Sequence, residues 1–222
     1  MKIRGTLGRI AVATGTVLLA SAGMATAAQA QEIDINPPEQ AYVGPVLGYD
    51  SLVFSTLGDS GSTSGLTYGG MAGIDTPIGK RGRAGLEAQI AGSTAAATTA
   101  YSITSGGLTT NYETKLAAGI DIYIGGKLGW MVAPKTQIFT TLGYANSKLT
   151  VSYKENGIKM AQAGRSLSGF RAGAGVEYFL TPHMRARFEY QYTHYGQISL
   201  DPDTVSIKAE RHQVLGGLLY GF

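Results

Sequence analysis

The chain has 222 residues, 44% hydrophobic, with 32 glycines, 13 tyrosines and no cysteine. Length allows one domain of ordinary size, and the lack of cysteine rules out disulfide staples. The formal charge of +3 resides in residues 1–30, which carry Lys2, Arg4 and Arg9 and no acid. The remaining 15 cations and 15 acids cancel, so nothing argues for a nucleic-acid partner.

Residues 1–30 are expected to be a signal peptide. The three cations precede an apolar run that includes Val17-Leu18-Leu19-Ala20, and Ala28-Gln29-Ala30 is a small-x-small cleavage box. Cleavage after Ala30 would start the exported chain at Gln31. Beyond it, no stretch approaches the roughly 20 apolar residues of a spanning helix. Residues 31–41, polar and carrying Pro37-Pro38, are expected to be a periplasmic linker ahead of a domain spanning 42–222.

The first strand is expected near Tyr42 to Ser55, with Val46, Gly48 and Asp50 on one parity and Leu47 and Tyr49 on the other. Pro45 lies inside it and should mark a strand start or a bulge. Leu57 to Gly65 has loop composition. The second and third strands, near Leu66 to Thr76 and Arg83 to Ser93, are joined by a turn after Pro77. Ala95 to Asn111 is Thr/Ser/Gly-rich and is expected to be a loop. A fourth strand falls within Glu113 to Met131, where Asp121, Tyr123 and Lys127 oppose Ile120, Ile122, Ile124, Leu128 and Trp130. The turn Ala133-Pro134-Lys135 leads to a fifth strand with Ile138, Leu142 and Tyr144 on its apolar parity. Asn146 to Arg165 is expected to be a second long loop, with a strand extension at Leu149-Thr150-Val151.

The sixth and seventh strands form a hairpin about Leu180-Thr181-Pro182-His183. Arg171, Gly173, Gly175 and Glu177 oppose Phe170, Ala172, Ala174, Val176 and Tyr178. Arg185, Arg187, Glu189, Gln191 and Thr193 oppose Ala186, Phe188, Tyr190 and Tyr192. Gln197 to Ser206 is expected to be a loop, and Lys208 to Phe222 an eighth strand. Its last aromatics, Tyr220 and Phe222, share a parity with Val214, Gly216 and Leu218.

Three short turns alternate with four longer polar connections, and strands of about 9–11 residues suffice to cross a bilayer when tilted. A soluble sheet would bury the apolar parity. A membrane barrel turns it to lipid and encloses the charges. Lipid offers no partners for a bare sheet edge, so such a sheet must close. The expected fold is therefore all-β: an eight-stranded antiparallel up-and-down transmembrane barrel. Its termini would be periplasmic and its four long loops outside. The soluble periplasmic sheet is the rival.

In register, strands seven and eight are expected to pair about Asp203, placing Phe222 opposite Met184 and His194 opposite His212. Pairing six with seven about Pro182 places Glu177 opposite Arg187. The enclosed parity collects Asp50, Glu87, Asp121, Lys127, Arg171, Glu177, Arg187, Glu189 and Arg211, interleaved with Gly125, Gly129, Gly143, Gly173, Gly175 and Gly217. An eight-stranded interior is barely wide enough for its own side chains, so a structural salt-bridge core is expected. Removing Arg187 should leave Glu177 and Glu189 short of a cation.

The stretches 42–50 (YVGPVLGYD) and 122–130 (IYIGGKLGW), Gly175-Val176-Glu177-Tyr178, Glu189-Tyr190 with Tyr192, and the Tyr220-Gly221-Phe222 end resemble the small outer-membrane surface antigens of the opacity-protein and porin-family group. The resemblance covers 42–222. It implies the same barrel in the bacterial outer membrane, embedded in outer-membrane lipid. Tyr220 and Phe222 would be the terminal signal read by the outer-membrane assembly machinery. Function in that group lies in the loops, which implies a structural or surface-interaction role toward an extracellular ligand or a host surface. A small diffusion porin is the alternative. An envelope-lipid-modifying enzyme rests only on His194 and His212, a thin ligand set without a nearby carboxylate. No nucleophile stands beside a base and no glycine-rich loop precedes a helix, so no catalytic, cofactor or metal residue is assigned.

Overall fold

The structure, a computed structural model, describes residues 40–56, 59–105, 107–198 and 207–222. The expected signal peptide with Ala28, Ala30 and Gln31, most of the linker, and most of the Gln197–Ser206 loop lie outside the described residues. Among those described, strand segments follow one another in chain order. They are β1 (Gln40–Thr56), β2 (Asp59–Ile78), β3 (Gly82–Ser93), β4 (Ala96–Ser105), β5 (Leu108–Ala133), β6 (Thr136–Glu155), β7 (Ile158–Thr181), β8 (Met184–Ile198) and β9 (Ile207–Gly221).

Every pairing is antiparallel, and β9 returns to β1, which closes the ring. β3 and β4 lie end to end along β5: β3 takes Asp121–Trp130, and β4 takes Leu108–Ala117. They occupy one position, broken at Thr94-Ala95, so eight positions surround the lumen. Stepping across the ladder shows the stagger. Tyr42 faces Gly73, then Glu87, Gly125, Gly143, Arg171, Thr193 and Arg211, and the path re-enters β1 at Leu52, ten residues along. With ordinary strand spacings, that stagger over eight positions tilts the strands by about 40°.

Lateral closure inverts the usual burial. Leu47, Leu86, Ile124, Leu142 and Phe188 each stand more than half exposed, whereas Arg171, Glu177 and Glu189 are fully enclosed. In water this would be untenable; against hydrocarbon it is what is required. From the rim residue His212 to Phe222, β9 runs for ten residues, about 25 Å of height at that tilt, which matches the apolar band of such barrels. The soluble-sheet reading is excluded by this face pattern.

The strands are longer than expected. β1 starts at Gln40, inside the expected linker, and β2 already begins at Asp59. Most of the Ala95–Asn111 and Asn146–Arg165 loops is strand: β4, the first part of β5, the end of β6 and the start of β7. These threonine- and serine-rich segments lie beyond the lipid-facing band, so the contrast of apolar against charged residues that marks the other strands is weaker in them. Asn156 and Gly157, both at positive φ (49° and 80°), close the β6–β7 hairpin in two residues. Both central residues of such a turn require positive φ, which Asn-Gly supplies.

One register carries a correction. β8 and β9 pair two residues away from expectation: Met184 faces Tyr220, His194 faces Glu210, and His212 faces Tyr192. A shift of two preserves every face, so the lipid-facing parity survives. Pro45 sits within β1, paired with Gly70, and the β1–β9 ladder skips Gly44 and Pro45. That gap is where a residue without an N–H belongs.

Candidate functional site

Parity delivers charged side chains from nearly every strand to the lumen, where they sort into two clusters at different heights. The one nearer the short turns holds Asp75, Glu87, Glu177 and Glu189 with Arg83, Lys127, Arg185 and Arg187, four of each sign. Arg187 is its hub. It donates to Glu87 at 2.9 and 3.0 Å, to Glu177 at 3.1 Å and to Glu189 at 2.8 Å. Lys127 Nζ donates to Glu177 at 2.8 Å and to Asp75 at 3.0 Å. Arg185 donates to the same two carboxylates at 3.0 and 2.7 Å. Aromatic rings fill the remaining space: Arg185 lies 4.0 Å from the Tyr42 ring centre and Arg187 4.2 Å from that of Phe139. Tyr42 also donates to Glu87 at 3.1 Å.

The cluster nearer the long hairpins holds Asp50 and Asp121 with Arg171 and Arg211. Arg171 donates to Asp121 at 2.6 Å and to Thr193 at 2.8 Å. Arg211 pairs with Asp50 and lies 3.4 Å from Asp121. No ion pair among the described residues joins the clusters; buried Gln89, Gln191 and Thr141 lie between them. Above the second cluster, Leu52, Leu149, Leu167, Tyr195 and Ala209 form an apolar cap. Glycine makes room. A Cβ on Gly173 would overlap both the Glu189 carboxylate and the Thr141 hydroxyl.

The nine lumen charges named from the sequence are all enclosed, and Glu177 faces Arg187 across β7 and β8. Asp75, Arg83 and Arg185 belong with them and were missed. Each stands on the enclosed parity of its strand, Arg185 in alternation with Ala186 and Phe188, so parity alone would have found them. The expected consequence of losing Arg187 also changes. Glu177 keeps Lys127 and Arg185, whereas Glu87 and Glu189 depend on Arg187 for their ion pairs.

Outside the ring, Tyr220 and Phe222 point away from the lumen, their ring centres 5.5 Å apart. The strand end is held by main-chain bonds from Phe222 to Ala41 and from Gly221 to His183. His194 and His212 do not face each other. His194 lies 3.6 Å from Glu210, and His212 Nδ1 is 2.7 Å from the Tyr190 hydroxyl. These are rim contacts among aromatics, and no group of three metal-ligating side chains exists among the described residues.

Above the cap, β4 and the adjoining ends of β5, β6 and β7 continue as a projecting sheet. A register shift between Ala118 and Asp121 switches which parity of β5 faces inward, so Leu116 and Ala118 pack on the cap. The same face carries Tyr101, Tyr112 and Tyr153, stacked with ring centres 5.1 and 6.0 Å apart. The opposite face is polar, with Glu113 and Lys154 paired at 2.9 Å.

The sequence pattern of the family described as outer membrane protein beta-barrel domain matches residues 16–222. No curated protein gives a significant match. Among solved structures, the chain is similar to Ail, the attachment invasion locus protein of Yersinia pestis (15% identity, TM-score 0.41, 82% of this chain and 99% of that one). It is similar to Neisserial surface protein A at 16% identity and TM-score 0.46, covering 82% and 97%. It also matches the outer membrane protease OmpT of Escherichia coli at 11% identity and TM-score 0.43, covering 83% and 96%.

Proposed function

The chain belongs to the outer membrane protein β-barrel family, and from that premise we propose that it is a surface-interaction barrel rather than a channel or an enzyme. One observation carries the reading. The lumen is packed with paired charges under an apolar cap, while four strand segments run on past the membrane band into a sheet exposed on both faces. Material invested beyond the membrane on a rigid scaffold is where recognition concentrates. The partner would be an extracellular ligand or host surface met by this sheet. Short turns and both termini would lie in the periplasm.

The test compares cells displaying the full chain, cells displaying a chain in which residues 97–116 and 150–164 are each replaced by a short turn, and cells lacking it. Retention on immobilised extracellular-matrix protein and on epithelial monolayers is measured. The full chain is expected to raise retention and the shortened barrel to return it to background. Equal retention by all three would remove the surface-interaction reading.

Export is part of the proposal. Residues 1–30 are the signal peptide and Tyr220 with Phe222 the signal for the assembly machinery. Mass spectrometry of protein extracted from outer membranes is expected to find Gln31 as the first residue; a retained Met1 would contradict it.

A further inference from the structure

β4 is bonded along one edge only. Its partner is Leu108–Ala117 of β5, and among the described residues no strand pairs with its other edge. The β2 hairpin meets the chain just before it, where Thr94 N donates to Leu66 O, and goes no further along it as a ladder. The edge is ten residues long, AATTAYSITS, with no charge, no proline and no glycine. Solvent-exposed edges are normally blunted by lysine, proline, a bulge or shortness, because a bare edge is a template for another strand. The second open edge, Asp59–Gly65 of β2, is shorter and carries Asp59, Gly61 and Gly65. It is therefore the poorer template.

The two faces of β4 specify what fits. On the face shared with the lumen stand Tyr101 and Ile103, both half exposed, and Tyr101 begins the tyrosine stack. On the other stand Thr98, Ala100, Ser102 and Thr104, small or hydroxylated. A strand completing this edge needs apolar residues on one parity and small polar ones on the other, without charge. β4 itself has that pattern.

We propose that the edge pairs with the same edge of a second copy, β4 against β4, antiparallel about a two-fold axis through Tyr101. Direct partners in an antiparallel pair share a face, so matching faces requires the axis to pass through a residue. Placing it at Tyr101 sets Tyr101 opposite its counterpart and Ile103 opposite Thr99. It also joins the two tyrosine stacks into one aromatic row. The contact is isologous and therefore closes as a pair instead of propagating. An axis normal to the projecting sheet points the two barrels in opposite directions. The pair thus bridges facing membranes, not neighbours in one membrane. This rests on the reading of the projecting sheet as a recognition surface and adds a second copy of the chain to the partners it meets.

The test uses the purified full-length barrel in phosphatidylcholine vesicles, with clustering followed by light scattering. Ala100 and Ser102 face each other across the axis, so the pair Ala100→Lys with Ser102→Lys places four like charges at the contact, and the corresponding pair to Glu does the same with the opposite sign. Wild-type vesicles are expected to cluster. Each charged variant alone is expected to lose clustering while keeping its heat-dependent gel shift, and mixing Lys-variant with Glu-variant vesicles is expected to restore it. Dispersed wild-type vesicles, clustering of the Lys variant alone, or no recovery on mixing would each overturn β4 self-pairing. None of these results would alter the retention of cells bearing the full chain, so the two readings fail separately.

Discussion

Replacing Arg187 by alanine is expected to destabilise the folded barrel by about 3–5 kcal/mol, the range for stranding a buried charge by removing its partner. Arg187 is almost wholly enclosed and bonds three carboxylates within 3.1 Å. Without it, Glu87 retains the Tyr42 hydroxyl, and Glu189 retains Thr141 and Gln191. Neither retains a cation. Urea unfolding in detergent measures the effect. The double variant Arg187→Ala with Glu87→Ala should lose less than the two single losses summed, by on the order of 1–3 kcal/mol, because removing both partners strands fewer charges. An unchanged midpoint for Arg187→Ala would mean that its charge is not desolvated, and the lumen would have to be wet.

Asp121→Ala should cost a comparable amount for the opposite reason. It strands a cation: Arg171 is left with Thr193 alone among its polar partners, while Arg211 keeps Asp50. The two clusters share no ion pair, so combining Asp121→Ala with Arg187→Ala should add the separate losses to within about 0.5 kcal/mol. Strong coupling between them would indicate one continuous network. That would replace the two charge-balanced layers separated by glutamine.

The sequence exposed the barrel because the membrane-spanning parts carry the strongest contrast a strand can show. Ile122 and Ile124 alternate with Asp121, Tyr123 and Gly125, and Arg185, Arg187 and Glu189 alternate with Ala186 and Phe188. Lipid on one side and a charged lumen on the other enforce that period. The projecting sheet was less legible for the same reason. β4 and the ends of β5 to β7 lie outside the lipid band, so the contrast there is weaker: AATTAYSITS has loop composition, and in SKLTVSYKE the alternation of Leu149, Val151 and Tyr153 with Thr150, Ser152 and Lys154 supported only the short extension expected at Leu149-Thr150-Val151. A second local signal was present. Asn156-Gly157 between Val151-Ser152-Tyr153 and Ile158 is a two-residue hairpin turn, and it fixes the β6–β7 extension. The β8–β9 register was missed because no lumen ion pair pins it; its one such contact, His194 with Glu210, lies at the rim. Gln191 faces Gln213 and Arg187 faces Gly217, so a slip of two residues leaves the pattern unchanged. In the preceding hairpin, Glu177 and Arg187 do pin the register.

The glycines complete the packing. Gly173 lies where β7 passes the Glu189 carboxylate, and a Cβ there would overlap its Oε1 and force the carboxylate to shift. Small residues on the enclosed parity and long charged ones beside them are two halves of one arrangement. Eight strands leave room for side chains but not for water as well.

Single-channel recording of the purified wild-type barrel in planar bilayers decides whether paired charges fill this lumen. Water-filled pores belong to barrels of roughly 16–18 strands, and here two ion clusters and an apolar cap lie in series along eight. A filled lumen predicts insertion without resolvable steady current. Large, stable conductance steps from the wild-type protein would contradict it.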